Sequence, residues 1–273
     1  MTSYGKLFRR IREQKNLSLT YFERLGINPG NLSKFERGQT MMDFSRVDSM
    51  LQAMDVSLAE YELMLHHFTP NFQELFLEAV EQANFAQDKR RLNALYDEAS
   101  RDFYPLLALT AKACYSTLEA GEINLILKRL DNSLHWGYFE LSLIYFTMEQ
   151  LQTKDLKRLL SDFDQKHQHF YNILAYRRRL LQVACQLIIL LSWREEQALA
   201  GKILKKLEGR NRNSIDFYID TLCKLASATY RCCFEAPQYG RQEIRATLDI
   251  MNQLEQKDLR DFYEQKLAQI LGE

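Results

Sequence analysis

Apolar residues recur along this chain at helical spacing and almost never at the alternation of strands. Tyr4, Leu7, Phe8 and Ile11 repeat at i, i+3, i+4 and i+7 with Arg9, Arg10 and Lys15 off the stripe, which predicts a helix over Ser3 to Lys15. Ser18 can cap a short second helix that ends at Leu25, and Gly26 turns the chain. Asn28 caps a third helix, with Pro29 at the first position, where no backbone N–H is needed, and Gly38 just past the end. Within it Leu32 and Phe35 point inward, which leaves Gly30, Asn31, Ser33, Lys34 and Arg37 to face something polar. Asp43 or Ser45 caps a fourth helix carrying Val47, Met50, Leu51 and Met54. Ser57 and Glu60 form a capping box for a fifth, with Tyr61, Met64 and Leu65 behind it. Leu17, Phe22, Leu25 and Ile27 join Leu32 and Phe35 in a small expected core.

His66, His67, Phe68, Thr69 and Pro70 mark a boundary, so the expected domains are residues 1–66 and 67–273. Phe72, Leu75, Phe76, Ala79 and Val80 then open a second amphipathic series. About ten helices follow, near 71–84, 88–100, 103–119, 122–133, 137–151, 154–165, 168–192, 195–208, 214–235 and 240–271, the last divisible into two. Gly121, Gly137, Gly209 and Gly240 read as turns between antiparallel pairs. The expected fold is all-α: a small helix-turn-helix head followed by a tetratricopeptide-like helical-repeat domain.

Composition agrees. Hydrophobic residues make up 46% and charged residues 26% of the 273, with only 10 Gly and 4 Pro, which is enough apolar matter for a packed core. The net charge is zero, but its distribution is uneven. Residues 1–40 hold eight Lys/Arg against three Glu, a surplus of five, while residues 41–68 hold Arg46 against five acidic residues. A local positive end on a neutral chain fits a phosphate-contacting face. The odd count of five cysteines, the absence of a Cys-x-x-Cys pair and of an opening signal peptide predict a reduced, cytoplasmic setting. No run of about 18 apolar residues predicts a membrane span. No Gly-rich phosphate loop, G-x-S-x-G or H-E-x-x-H is present, so no enzyme, catalytic residue or cofactor is expected. Asp164, His167 and His169 are polar turn residues rather than metal ligands, because two histidines two apart diverge on a helix.

Helix, Gly-containing turn, helix over Ser18 to Gly38 is the helix-turn-helix arrangement, whose second helix enters the major groove of double-stranded DNA. Lys34 sits where a side chain reaches a base edge, with guanine the favoured partner. Asn31 reaches an adenine or a phosphate, and Arg37, Arg9 and Arg10 are placed for phosphates, which fix position without reading sequence. The expected DNA-facing set is Arg9, Arg10, Arg12, Asn28, Gly30, Asn31, Ser33, Lys34 and Arg37. A single head makes few contacts, so an operator of two half-sites and a homodimer through the second domain are expected.

Leu32-Ser33-Lys34-Phe35-Glu36-Arg37-Gly38, followed by a helix and Asp55-Val56-Ser57-Leu58-Ala59-Glu60, resembles the lambda-repressor-like, XRE-type helix-turn-helix. The resemblance implies that Arg12 pairs with Glu36. Two departures are Leu19, where that family has Gln, and Pro29-Gly30, where longer polar side chains often read bases. Base readout then rests on Asn31, Ser33 and Lys34 or is shared with DNA shape. Further on, Leu134-His135-Trp136-Gly137-Tyr138-Phe139-Glu140, Phe217-Tyr218, and Arg245-Ala246 with Asp249-Ile250 resemble the Rgg (GadR/MutR) regulators. That resemblance implies a homodimeric transcription factor whose helical domain binds a short peptide pheromone in quorum sensing. Some members carry a Cys near the start of the fourth helix that bridges two heads. Phe44-Ser45 stand there in this chain, so no such bridge is expected.

Candidate ligand contacts lie on two helices. In the helix near 168–192 an apolar stripe holds Arg177 in its middle, and the adjacent face reads Tyr171, Ala175, Arg178, Gln182, Cys185 and Ile189. A charge in an apolar stripe is costly unless paired. Arg177 therefore meets an internal acid, or Arg177 or Arg178 meets a carboxyl group of a bound peptide, or Arg177 is solvent-exposed. The helix near 214–235 has Tyr218, Leu222 and Leu225 on one face and Ile219, Cys223, Ala226 and Tyr230 on another, so it is buried on both sides or lines an apolar cavity. The expected contacts to a short hydrophobic peptide are Tyr171, Arg177, Arg178, Gln182, Cys223 and Tyr230. Two other readings stay open: a helix-turn-helix regulator without a peptide, and a helical-repeat adaptor for proteins.

Overall fold

The computed structural model describes residues 4–66, 72–161, 173–210 and 216–271, and every regular element among them is helical. The chain divides into two compact units, Met1–Phe72 and Gln73–Glu273.

The first unit holds α1 (Tyr4–Gln14), a 3₁₀ segment (Leu19–Leu25), α2 (Pro29–Glu36), α3 (Phe44–Gln52) and α4 (Leu58–Leu65). Leu7, Phe8, Ile11, Phe22, Leu32, Phe35, Met50 and Leu51 form its core, as their spacing predicts. The Phe8 ring meets Phe22 at 5.9 Å and Phe35 at 5.8 Å. Asp43, not Ser45, caps α3: its carboxylate accepts from the Ser45 amide at 2.9 Å. The capping box is complete, with Ser57 N–H donating to Glu60 and Glu60 N–H to the Ser57 hydroxyl. Two core expectations fail. Leu25 is the last residue before the left-handed turn at Gly26 and is left 40% exposed. Tyr4 presents its carbonyl to the Tyr61 hydroxyl at 2.6 Å while its own ring stays exposed.

The second unit holds α5 (Phe72–Phe85, whose first residue closes the first unit), α6 (Lys89–Arg101), α7 (Pro105–Ala113), α8 (Ala120–Asn132), α9 (Tyr138–Thr147), α10 (Thr153–Ser161), α11 (Leu174–Trp193), α12 (Gln197–Arg210), α13 (Phe217–Phe234), α14 (Pro237–Gln253) and α15 (Lys257–Leu271). Helices α7, α9, α11 and α13 pack one against the next, and α6, α8, α12 and α14 pack beside α7, α9, α11 and α13. This is the row-and-cover arrangement of helical repeats. α11 is its axis: Arg179 to Ser192 is buried without interruption.

Glycine is a poor guide to the turns here. Gly121, Gly209 and Gly240 lie inside α8, α12 and α14. Gln87, Phe103, Glu195 and Glu255 adopt the left-handed conformation instead, at φ of 52°, 61°, 60° and 59°, and each lies in a break between helices. Gly240 is needed for packing, since a Cβ there would lie 2.4 Å from the backbone nitrogen of Cys232. The expected helix 240–271 is two helices that part around Glu255, and the expected helix 103–119 stops at Ala113. Asp164, His167, His169, Phe170 and Tyr171, and the boundary residues His67 to Pro70, lie outside the described residues.

Candidate functional site

The second helix of the head is fixed at both ends. Asn28 Oδ1 accepts from the amides of Gly30 (2.9 Å) and Asn31 (3.2 Å), Pro29 opens α2, and Gly38 at φ 72° follows it. Leu32 and Phe35 are buried beneath it, so the opposite side faces out: Gly30, Asn31, Lys34 and Arg37 are exposed and Ser33 is half-buried. Lys34 makes no ion pair with any described residue. Arg37 donates from Nη1 to the Ser33 hydroxyl (2.8 Å) and from Nε and Nη2 to Gln39 (3.3 and 3.1 Å). Neutral partners hold this guanidinium in place without cancelling its charge, which suits it to exchange them for a phosphate. On α1, Arg10 is exposed and Arg9 donates to Glu13 at 2.7 Å, a contact that raises the arginine's pKa.

Arg12 is a correction to the expected DNA-facing set. Its guanidinium is buried and each of its three nitrogens donates: Nε and Nη2 to the two Glu36 oxygens at 2.7 and 2.8 Å, and Nη1 to the Leu17 carbonyl at 2.6 Å. The implied Arg12–Glu36 pair forms, and because it forms, Arg12 positions α2 and does not face a duplex. Asn28 is likewise committed through its oxygen as a cap. Two positions escaped sequence reasoning. A Cβ on Gly5 would lie 1.8 Å from the Phe35 carbonyl oxygen, so only glycine lets α1 cross the end of α2 this closely. Gln39, beyond the helix, orients Arg37.

The expected ligand contacts fall in several places. Tyr171 lies outside the described residues. Arg177 is half-buried at the start of α11, and the arginine actually drawn into the apolar interior is Arg179, two positions on. Burial alone would lower the Arg179 pKa, but Glu81 and the nearby tyrosine oxygens outweigh it and raise it. Arg178 is exposed, pairs with Asp216 at 3.2 Å and lies 5.0 Å over the Tyr218 ring. Gln182 is buried and donates to Glu81 (2.9 Å) and to the Tyr218 hydroxyl (3.1 Å). Cys223 belongs elsewhere: its sulfur is 3.6 Å from that of Cys185, and it borders a groove of about 840 Å³ between α12, α13 and α14. Tyr230 packs against Phe234 and over Gly201. The fold therefore gathers Arg178 and Gln182 around Tyr218 and scatters the rest. Glu81 and Arg179, which sequence reasoning did not name, complete that cluster.

Among the described residues no helix is long and apolar enough to cross a membrane, and no His/Cys/Asp/Glu cluster is arranged to hold a metal ion.

Comparison with known proteins agrees with both units. Residues 8–61 match the helix-turn-helix family model, and residues 75–265 match the C-terminal domain of the HTH-type transcriptional regulator Rgg. The SHP pheromone receptor Rgg2 of Streptococcus dysgalactiae is similar in structure, with a TM-score of 0.78 at 18% identity over 97% of this chain and 99% of that one. A protein of Listeria monocytogenes EGD-e is similar at a TM-score of 0.76 and 17% identity over 99% and 97% of the two chains. PrgX in complex with cCF10 is similar at 0.66 and 14% identity, over 99% and 92%. With its helix-turn-helix head and an Rgg C-terminal domain over most of its length, the chain belongs to the Rgg family of transcriptional regulators.

Proposed function

We propose that this chain binds operator DNA through the exposed side of α2 and that a short apolar peptide, taken up by the second unit, governs that binding in the cytoplasm. The observation that carries the DNA contact is the division of α2 into a buried side, Leu32 and Phe35, and an open side of Asn31, Ser33, Lys34 and Arg37 with Arg9 and Arg10 nearby in sequence. Lys34 and Asn31 read base edges, while Arg9, Arg10 and Arg37 hold phosphates. Two copies joined through the second unit present two heads to two half-sites. The peptide reading draws support from solved proteins of the same fold, one an SHP pheromone receptor and another complexed with cCF10. It draws support also from the cluster of Arg178, Arg179, Gln182 and Tyr218, whose donors suit a carboxylate of a peptide. A peptide shifts the regulator only by binding one arrangement more tightly than the other.

The test is a gel shift on the promoter DNA of the chain's own locus. Lys34→Ala is expected to weaken binding by about tenfold with unchanged dimerisation, and wild-type affinity falls roughly linearly with salt on a log–log plot. Unchanged affinity in the variant removes Lys34 from the interface. A flat salt response removes the phosphate contacts altogether.

A further inference from the structure

The first and last helices of the second unit meet over one face of α11. That face is a polar seam of Arg179, Gln182 and Gln186, spaced to lie along one side of a helix. From α5, Glu81 accepts from Nη1 and Nη2 of Arg179 at 2.9 and 3.1 Å and from Gln182 Nε2 at 2.9 Å. From α15, the Tyr263 hydroxyl accepts from Gln186, and Lys266 donates to the Gln186 oxygen at 2.8 Å. Farther along, Trp193 donates to Gln269 at 2.9 Å. The two outer helices also touch each other, with the Phe85 and Phe262 rings 5.3 Å apart edge to face, and just past the end of α5 Gln87 is hydrogen-bonded to Gln265.

Arg179 is the incompletely paired member of this set. Its side chain is 3% exposed, it lies over Tyr145 (4.7 Å), Tyr138 (5.4 Å) and Phe146 (5.6 Å), and its Nε has no acceptor although buried. Leaving a buried guanidinium without a carboxylate is costly. Glu81, at 18% exposure, is the more accessible half of the pair. A second carboxylate arriving at Arg179 carries the same charge and geometry, so the exchange leaves no buried cation unpaired, and the outcome is decided by the newcomer's other contacts.

We propose that Glu81 is an internal occupant of a carboxylate site, and that a carboxylate of the bound peptide replaces it at Arg179 and Gln182 and so loosens α5 from α11. The proposal rests on the peptide reading above. α5 is the helix into which the chain runs from the DNA-binding unit, so its release is the step that carries the signal along the backbone. The ligand chemistry is an apolar peptide with one carboxylate, supplied by its C-terminus or by an acidic side chain.

Pools of synthetic short apolar peptides, made as free acids, as C-terminal amides, and as amides bearing one Asp, are incubated with the full chain and the retained peptides identified by mass spectrometry. Retention of either carboxylate-bearing pool over the plain amides is expected, and which of the two is retained identifies the source. Glu81→Gln is expected to tighten binding of the retained peptides about tenfold, the share of a lost charge-assisted competitor. Hydrogen exchange of the wild-type chain, which needs no variant to fold, is expected to show faster exchange in α5 once a retained peptide is bound. Equal retention of all pools, or α5 exchange unchanged or slowed, overturns the carboxylate exchange while leaving the peptide reading in place. Retention of no pool overturns both.

Discussion

Each unit of this chain buries an arginine against a glutamate, and the two pairs are finished differently. In the head, Arg12 uses Nε and both Nη groups, and Glu36 is only 4% exposed, so every polar group inside is matched. In the helical unit, Arg179 leaves Nε unmatched, and its partner Glu81 reaches toward solvent. A closed pair can only hold a shape. An open pair has an alternative partner in water or in a ligand, and this is the difference that the proposed function asks for between a head that presents one surface and a unit that changes state on taking up a peptide.

The largest expected effect breaks the closed pair. Arg12→Leu leaves Glu36 buried without a partner and is expected to cost about 3–5 kcal/mol of head stability. Arg179→Leu frees a carboxylate that can hydrate, and is expected to fall at or below the lower end of that range. The chain has two units and is not assumed to melt in one step, so calorimetry should follow each transition separately. Equal losses in both variants would abolish the contrast between a closed and an open pair. Gly5→Ala comes next. Its Cβ would meet the Phe35 carbonyl, a backbone atom that cannot swing aside, so a loss of about 1–3 kcal/mol confined to the head transition is expected, with weaker operator binding. Normal operator affinity in this variant would mean that α1 does not fix the pose of α2.

How much of this was legible in the sequence differs between the units for the same physical reason. The head is small and one-sided: its helices have one buried and one exposed face, so periodicity located Leu7, Phe8, Ile11, Leu32 and Phe35 correctly, and the caps at Asn28 and Ser57 were read from local chemistry. Its Arg12–Glu36 pair came from the resemblance, while the place of Gly5 depends on a crossing that no local pattern encodes. In α11, burial from Arg179 to Ser192 is continuous, and a helix buried all round has no face for periodicity to find. Periodicity therefore does not distinguish Arg177 from Arg179. No acid meets Arg177 among the described residues; the buried arginine that pairs with one is Arg179, off the expected stripe, and its partner Glu81 lies ninety-eight residues earlier. The turns misled for a related reason. Gln87, Phe103, Glu195 and Glu255 accept the left-handed conformation that glycine takes freely, while Gly240 serves a close helix contact.

Smaller effects sharpen the picture of the head. Asn28→Ala removes the acceptor for two α2 amides and is expected to cost about 1 kcal/mol in the head transition alone. A shift in the helical-unit transition would show that the two units do not melt independently.

The smallest stability effect is expected at Arg9, and it separates holding a shape from holding DNA. Arg9 and Glu13 are both about half exposed, at 54% and 50%, and such a pair contributes little to folding, so Arg9→Gln should leave both melting transitions where they are. If Arg9 meets a phosphate in the complex, its loss removes one released counterion, and the slope of log affinity against log salt should become shallower by about 0.9. Arg12→Leu, by contrast, should lower operator affinity at every salt concentration without changing that slope once the folded fraction is allowed for, because a buried guanidinium releases no ion. An unchanged slope for Arg9→Gln assigns the phosphate work to Arg10 and Arg37, and a changed slope for Arg12→Leu would mean that the pair with Glu36 opens when DNA binds.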